Sequence, residues 1–300
     1  MSSHQEVTIV EVGPRDGLQQ ESVFFPTDKK IELINRLSQT GVQKIEVTSF
    51  VHPKVIPQLR DAAEVLEKIE KRPGVTYSAL VPNLKGCQRA LETRVDELVL
   101  FVSASETHNQ KNVGMSVADS LKALAEVAKL AQEAGKALRG GVVTAFGCPY
   151  EGRVPVDRVK DILKAYADMG VPEVLLGDTT GMANPVQVKK TVAELREAAA
   201  GINLVGHFHN SRGLGLANAC AAWEAGIRIF DSSVGGLGGC PTAVGAMGNV
   251  PTEDLVNMME EMGVSTGIDF QKLVEASGLV KEVLATDLPA FTFKLGRPAW

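Results

Sequence analysis

The chain has 300 residues, a formal net charge of -5 at pH 7, 44% hydrophobic and 22% charged residues, a composition that supports a sizeable buried core. Charges of both signs are interspersed, so no basic stripe exists to neutralise a run of phosphates, and nucleic acid is not expected as a partner. The longest apolar runs, such as Glu97–Ala104, fall far short of the roughly 20 residues that span a bilayer, so no membrane segment is expected.

Strand-like apolar runs alternate with amphipathic helical stretches from end to end. Eight runs are predicted as strands: Val7–Gly13, Lys44–Phe50, Thr76–Pro82, Glu97–Ala104, Leu138–Phe146, Glu173–Asp178, Asn203–His209 and Ile229–Val234. A helical pattern follows each one. In Thr27–Thr40, for example, Ile31, Leu33, Ile34 and Leu37 form one apolar stripe. Gly41, Gly135, Gly170 and Gly226 sit between a helix and the next strand, where a left-handed C-cap is needed.

Eight strand-helix units of about 37 residues, with no Pro/Ser-rich linker, fit one (β/α)8 TIM barrel, an α/β fold, as a single domain over residues 1–300. A helical pattern over Asp269–Leu284 reads as part of a C-terminal appendage covering about residues 266–300, packed on the barrel or on a partner subunit. The rival fold, an open doubly wound sheet, usually carries a phosphate-binding turn after its first strand. Gly13-Pro14-Arg15-Asp16-Gly17 is neither GxGxxG nor a P-loop.

The N-terminus lacks the features of a secretory signal, and the C-terminal GRPAW is no peroxisomal address. Cys87, Cys148, Cys220 and Cys240 are far apart and form no CxxC pair, which argues against a thiolate zinc cluster and a disulfide framework. A cytoplasmic location is expected.

In a barrel of this kind chemistry collects at the carboxyl ends of the strands. The polar residues predicted there are Glu11, Arg15 and Asp16 after the first strand, Glu46 and Ser49 on the second, Asp178 on the sixth, His207 and His209 on the seventh, and Cys240 and Asn249 after the eighth. Residues two apart on a strand share a face, so the His207-Phe208-His209 triplet presents two imidazoles together, as a satisfied buried pair or as ligands of a divalent metal. With Asp16 and the amide oxygen of Asn249 beside them, the set is mixed N/O ligation, which favours Mg²⁺ or Mn²⁺. Arg15 is either half of a structural ion pair with Asp16 or a fixed cation that stabilises an enolate oxygen. Glu11 and Glu46 lie in apolar strands and demand partners, so they are expected to hold Arg15 and the histidines in place. Gly235-Gly236-Leu237-Gly238-Gly239 forms a loop able to move or to approach a ligand closely, and it ends in Cys240. Cys148, also at a strand end, competes with Cys240 for a reactive role.

Over nearly its whole length the chain resembles the hydroxymethylglutaryl-CoA lyase family of metal-dependent TIM-barrel lyases. The resemblance rests on Val10–Gln19, Ile45–Phe50, Val81–Gly86, Gly147–Gly152, Gly177–Thr179, His207–His209 and Gly235–Asn249. It implies a divalent metal held by Asp16, His207, His209 and Asn249, with Arg15 stabilising an enolate, Asp16 and His207 also catalytic, and Cys240 assisting proton transfer. It further implies Glu46 and Glu253 in support, and Gln19, Ser49, Asp178, Lys111 and Asn112 near an acyl-CoA thioester substrate. The implied reaction is retro-Claisen cleavage of 3-hydroxy-3-methylglutaryl-CoA to acetoacetate and acetyl-CoA, the chemistry of leucine degradation and ketone-body formation, in a homodimer or higher homo-oligomer. After His209 the chain reads Asn210-Ser211-Arg212, where this family often has Asp-Thr, which keeps citramalyl-CoA or a longer 3-hydroxy-3-alkylglutaryl-CoA open as substrate. Two other readings remain. A condensing synthase would carry a regulatory region for which 300 residues leave no space, and a non-catalytic acyl-CoA-binding barrel would show a broken ligand or Arg-Asp pair.

Overall fold

A computed structural model describes residues 6–199, 201–238 and 248–298. Its strands are β1 (Thr8–Glu11), β2 (Lys44–Ser49), β3 (Thr76–Leu80), β4 (Glu97–Ser103), β5 (Ala137–Val143), β6 (Gly147–Cys148), β7 (Gly152–Arg153), β8 (Glu173–Asp178), β9 (Asn203–Phe208) and β10 (Ile229–Ser232). All but β6 and β7 close into one parallel barrel in the order β1-β10-β9-β8-β5-β4-β3-β2. The helices are α1 (Thr27–Leu37), α2 (Ala62–Lys68), α3 (Leu84–Leu91), α4 (Glu106–Val113), α5 (Val117–Glu133), α6 (Val156–Asp168), α7 (Pro185–Ala198), α8 (Gly215–Glu224), α9 (Thr252–Glu261), α10 (Phe270–Leu284) and α11 (Phe291–Leu295). The eight predicted strands are thus the eight barrel strands, and closure leaves none with an open edge.

The fold follows from local patterns. On α1 the buried Leu33, Ile34 and Leu37 face the barrel. The helix stops short of Thr40 because the Ser38 and Thr40 hydroxyls donate to the Asn35 and Leu37 carbonyls, and Gly41 then turns at φ +96°. Gly135, Gly170 and Gly226 likewise have positive φ, as the C-cap reading requires. Asp269 caps α10 by accepting the Lys272 N–H, and α10 packs on α1 and α9 as a helical appendage.

One predicted strand ends differently. The run expected to continue to Phe146 leaves the sheet after Val143 because Thr144 adopts φ +56°, a left-handed conformation unusual for a β-branched residue. The chain then forms the antiparallel β6-β7 hairpin across the barrel mouth. Among the described residues, no helix is long and apolar enough to cross a membrane.

Candidate active site

β1 ends at Glu11, and the next residues wind into one π-helical turn, Gly13–Gly17, rather than an open loop. The Val12 carbonyl accepts the Arg15, Asp16 and Gly17 N–H groups. This turn aims two adjacent side chains at the mouth. Arg15 Nη1 donates to Asp16 Oδ1 at 2.5 Å, and Nη2 donates to Glu46 Oε2 on β2 at 2.8 Å. Burial lowers the affinity of the guanidinium for its proton, but the Glu46 and Asp16 carboxylates more than offset this, so its pKa rises and it stays charged. Its buried Nε–H has no partner among the described residues.

Opposite stand the two imidazoles, on β9 and one residue beyond it. Their Nε2 atoms lie 3.2 Å apart, and each is 3.9 Å from Asp16 Oδ2. Burial raises the Asp16 pKa, yet Arg15, His207 and His209 together bring it well below the carboxylate range. Burial also pushes His209 down to about 4, with the neighbouring His207 charge adding to this, so at neutral pH it is uncharged. For His207 burial acts downward too, but a hydrogen bond to Asp231 at 3.0 Å leaves its pKa raised.

Asp16, His207 and His209 offer ligand atoms all within 4.8 Å of one another. Two imidazole nitrogens 3.2 Å apart, each 3.9 Å from a carboxylate oxygen, make a mixed N/O donor set without a thiolate, the chemistry that suits a hard or borderline divalent ion. The donor set therefore fits a divalent cation. Asn249 stands beside it, but its Nδ2 donates to Asp16 Oδ2 at 2.8 Å and to the Leu237 carbonyl at 3.1 Å. A ligand role needs its carbonyl there instead, by rotation of the amide. Gln19 Nε2 donates to Asp16 Oδ1 at 3.1 Å.

Other predicted residues fall into place unevenly. Asp178, at the end of β8, uses Oδ1 to accept the Met182 and Ala183 N–H groups and leaves Oδ2 buried without a partner among the described residues. Burial, opposed by those bonds, pushes its carboxyl up to about 7. The Ser49 hydroxyl, buried at the end of β2, accepts the Val51 N–H. Lys111 and Asn112 lie on α4, the helix that follows the fourth strand, and the Lys111 ammonium sits 4.9 Å from the Tyr150 ring centroid.

One carboxylate does not hold what it was expected to hold. Glu46 grips Arg15, but Glu11 touches neither Arg15 nor the histidines. It accepts the Gly13 and Val234 N–H groups and the Thr252 hydroxyl, tying the Arg15-Asp16 turn to the chain after β10. Its partners all lie just beyond strand ends, Gly13 after β1, Val234 after β10 and Thr252 at the start of α9. Glu253 likewise serves the glycine run, accepting the Gly235 N–H and the Ser277 hydroxyl.

The described part of that run is packed down rather than free. Gly235, Gly236 and Gly238 all have positive φ, and a Cβ on Gly238 would lie 2.6 Å from Asn249 Nδ2 and 3.1 Å from the Asp16 carbonyl oxygen. Cys240 lies outside the described residues. Cys87 and Cys148 are buried free thiols and Cys220 is a partly buried one. Asn210 departs from the family pattern without reaching the metal-type site: its Oδ1 accepts the Gly215 N–H at the start of α8. Arg212 donates to the Thr180 and Gly181 carbonyls, bracing the loop after Asp178.

Asp231 and Arg139 were not among the residues expected at the site. Asp231 on β10 bonds His207 Nδ1, and Arg139 on β5, fully buried, donates to the other Asp231 oxygen at 2.5 Å. The sequence does carry a signal for them, since both are charged residues inside apolar runs, the same feature that drew attention to Glu11 and Glu46.

A closed parallel barrel that gathers an Arg-Asp pair, two imidazoles and buried carboxyls at its strand ends is built as an enzyme of the (β/α)8 class. The chain belongs to the HMGL-like family, whose model matches residues 6–280. It is 48% identical over 286 residues to the hydroxymethylglutaryl-CoA lyase YngG of Bacillus subtilis, covering 95% of this chain and 96% of that one. It is 44% identical to the human mitochondrial hydroxymethylglutaryl-CoA lyase over 93% of this chain and 86% of the relative. The solved HMG-CoA lyase of Acinetobacter baumannii, in complex with coenzyme A and 3-methylmalate, superposes with a TM-score of 0.95 at 46% identity, covering 100% of this chain and 98% of that one.

Proposed function

We propose that the protein is a divalent-metal-dependent lyase that cleaves 3-hydroxy-3-methylglutaryl-CoA to acetoacetate and acetyl-CoA. The observation that carries this reading is the convergence of Asp16, His207 and His209 beside an Arg15 anchored by Glu46, in a chain 44–48% identical to lyases of that name. The Acinetobacter baumannii relative is solved with coenzyme A and 3-methylmalate, a small hydroxy-dicarboxylate, which supports an acyl-CoA substrate of that chemical kind.

Asp16, His207 and His209 would hold the cation, with Asn249 as a fourth ligand once its amide turns. Mg²⁺ or Mn²⁺ there supplies an electrophile that acidifies the substrate's 3-hydroxyl. The hydroxyl proton passes to a carboxylate, for which Asp178 is the proposed acceptor, its Oδ2 being without a partner among the described residues and its carboxyl raised to about 7; the C–O bond becomes a carbonyl, the C2–C3 bond breaks, and its electron pair becomes an enolate on the acetyl-CoA side. Arg15 is the group for that charge: Asp16 and Glu46 fix its guanidinium at the strand ends and keep it charged, so the developing negative charge on the thioester oxygen meets a preorganised cation. A proton on C2 completes acetyl-CoA, and Cys240 is the proposed donor. Gln19, Ser49 and Asp178 would contact the acyl part, and Lys111 and Asn112 the thioester arm. Glu11, Glu46 and Glu253 brace the turn, Arg15 and the glycine run.

A cytoplasmic homodimer or higher homo-oligomer, built from one domain over residues 1–300, is part of the proposal. Phe291 and Leu295 are exposed apolar side chains on α11 that a subunit contact would cover, which sedimentation would test. The products would place the enzyme in leucine degradation and ketone-body formation. The function itself is tested by a coupled assay of acetyl-CoA release from 3-hydroxy-3-methylglutaryl-CoA, citramalyl-CoA and a longer 3-alkyl homologue. No cleavage of the first, with turnover of another, moves the substrate; no cleavage of any leaves a binding barrel.

A further inference from the structure

Below the proposed cation site a chain of alternating charges crosses the barrel interior. Lys44 on β2 is 2.8 Å from Glu97 and 2.9 Å from Glu173, and Glu173 is 2.8 Å from Arg139 Nε. Arg139 Nη2 meets Asp231 Oδ1 at 2.5 Å, and Asp231 Oδ2 meets His207 Nδ1 at 3.0 Å. The sheet register explains the last contact, because Asp231 and His207 are direct partners across β10 and β9. The Arg139 and Asp231 side chains are 0% and 1% exposed, so solvent offers neither an alternative partner.

We propose that Asp231, polarised by Arg139, is a positioning residue that keeps the His207 proton on Nδ1 and so presents a bare Nε2 lone pair to the cation site. This rests on the reading of Asp16, His207 and His209 as that site. An imidazole nitrogen can ligate a cation only through its lone pair, and in a neutral ring one nitrogen carries the proton. Arg139 can only donate, so the oxygen facing it must accept. The carboxylate then still has an acceptor for His207 Nδ1–H. The proton is therefore held on the far side of the ring, and Nε2, 3.2 Å from His209 Nε2, is left free to bind. Among the described residues His207 Nε2 faces His209 Nε2 and Asp16, neither of which is a fixed donor that would hold the proton on Nδ1.

A single amide substitution should reverse this arrangement. In Asp231→Asn the amide keeps the carboxylate's shape, but Arg139 still demands an acceptor, so the amide oxygen faces Arg139 and the NH2 faces His207. Nδ1 must then accept, and the proton moves to Nε2, into the cation site. Outer partners of metal-ligating histidines typically contribute 10- to 100-fold in affinity, and Mn²⁺ binding by calorimetry should weaken by about that factor. With five histidines in the chain, ¹⁵N-edited imidazole spectra are tractable. Read at the alkaline plateau of a pH series, where the ring carries a single proton, metal-free wild type should show the His207 proton on Nδ1, and Asp231→Asn should show it on Nε2.

A proton on Nε2 in wild type, or unchanged Mn²⁺ affinity in a folded Asp231→Asn, overturns the proposal. His209→Ala separates it from the reading beneath it. If that variant binds Mn²⁺ as tightly as wild type, the cation site is wrong, while the metal-free spectra still decide the role of Asp231. The wild-type spectrum settles which nitrogen carries the proton even if Asp231→Asn does not fold.

Discussion

Replacing Arg15 with lysine tests the centre of the mechanism. The guanidinium contacts Asp16 with one arm and Glu46 with the other, and its buried Nε–H has no partner among the described residues. A lysine ammonium is a single point on a flexible stem. If it pairs with Glu46 it abandons Asp16, and in neither position does it keep a second fixed donor for a developing oxyanion. Loss of one such preorganised donor costs about 10²–10³ in kcat, about 3–4 kcal/mol. Glu46, fully buried and reached by Arg15, is left poorly paired, which adds a stability loss of up to about 3–5 kcal/mol. The two effects separate experimentally. Initial rates of acetyl-CoA release at saturating Mn²⁺, taken well below the unfolding midpoint, report kcat, and urea unfolding reports stability. Calorimetry should show Mn²⁺ affinity changed by only a few-fold, because Arg15 is no ligand. A folded Arg15→Lys enzyme with kcat within about fivefold of wild type would refute the assignment and leave Arg15 as the structural partner of Glu46.

Chelation should abolish turnover, and Mg²⁺ or Mn²⁺ should restore it; full activity in chelator-treated protein would remove the cation from the reaction. Gly238→Ala should weaken Mn²⁺ binding about tenfold or more, because its Cβ would lie 2.6 Å from the Asn249 amide, whereas Gly74→Ala, also at positive φ but facing open space, should cost only about 1–2 kcal/mol of backbone strain. Equal effects of the two substitutions on metal affinity would show that the close approach is irrelevant. Asp178 has its carboxyl raised from 3.8 to about 7 by burial, so the native state keeps a proton that the unfolded chain releases between those values. Its stability contribution is therefore full below about pH 4 and lost as pH rises through about 7. In metal-free protein, Asp178→Asn should gain stability relative to wild type on going from about pH 5 to about pH 8, by on the order of a few kcal/mol in urea titrations, and a pH-independent difference would count against the raised value.

The barrel was legible in the sequence because its determinants are local. Alternation of strand and helix, the apolar stripe of α1, and glycines at Gly41, Gly135, Gly170 and Gly226 act within a few residues of themselves, whatever the rest of the chain does. The His207-Phe208-His209 triplet was legible for the same reason, since two residues on one strand share a face by geometry alone. What Glu11 and Glu46 do was not. Both are acids in apolar strands, yet one grips Arg15 while the other ties a turn to Val234 and Thr252, and only the direction each side chain takes in the closed sheet separates them. The early end of β5 at Thr144 likewise has no local warning, because a left-handed threonine is tolerated only where its surroundings enforce it. Arg139, Asp231 and His207 belong to three strands and meet only because closure and register bring β5, β10 and β9 around one interior. Composition placed charged residues in apolar runs. The partners that make those charges tolerable, and the nitrogen that His207 turns toward the mouth, were decided by how the barrel closes.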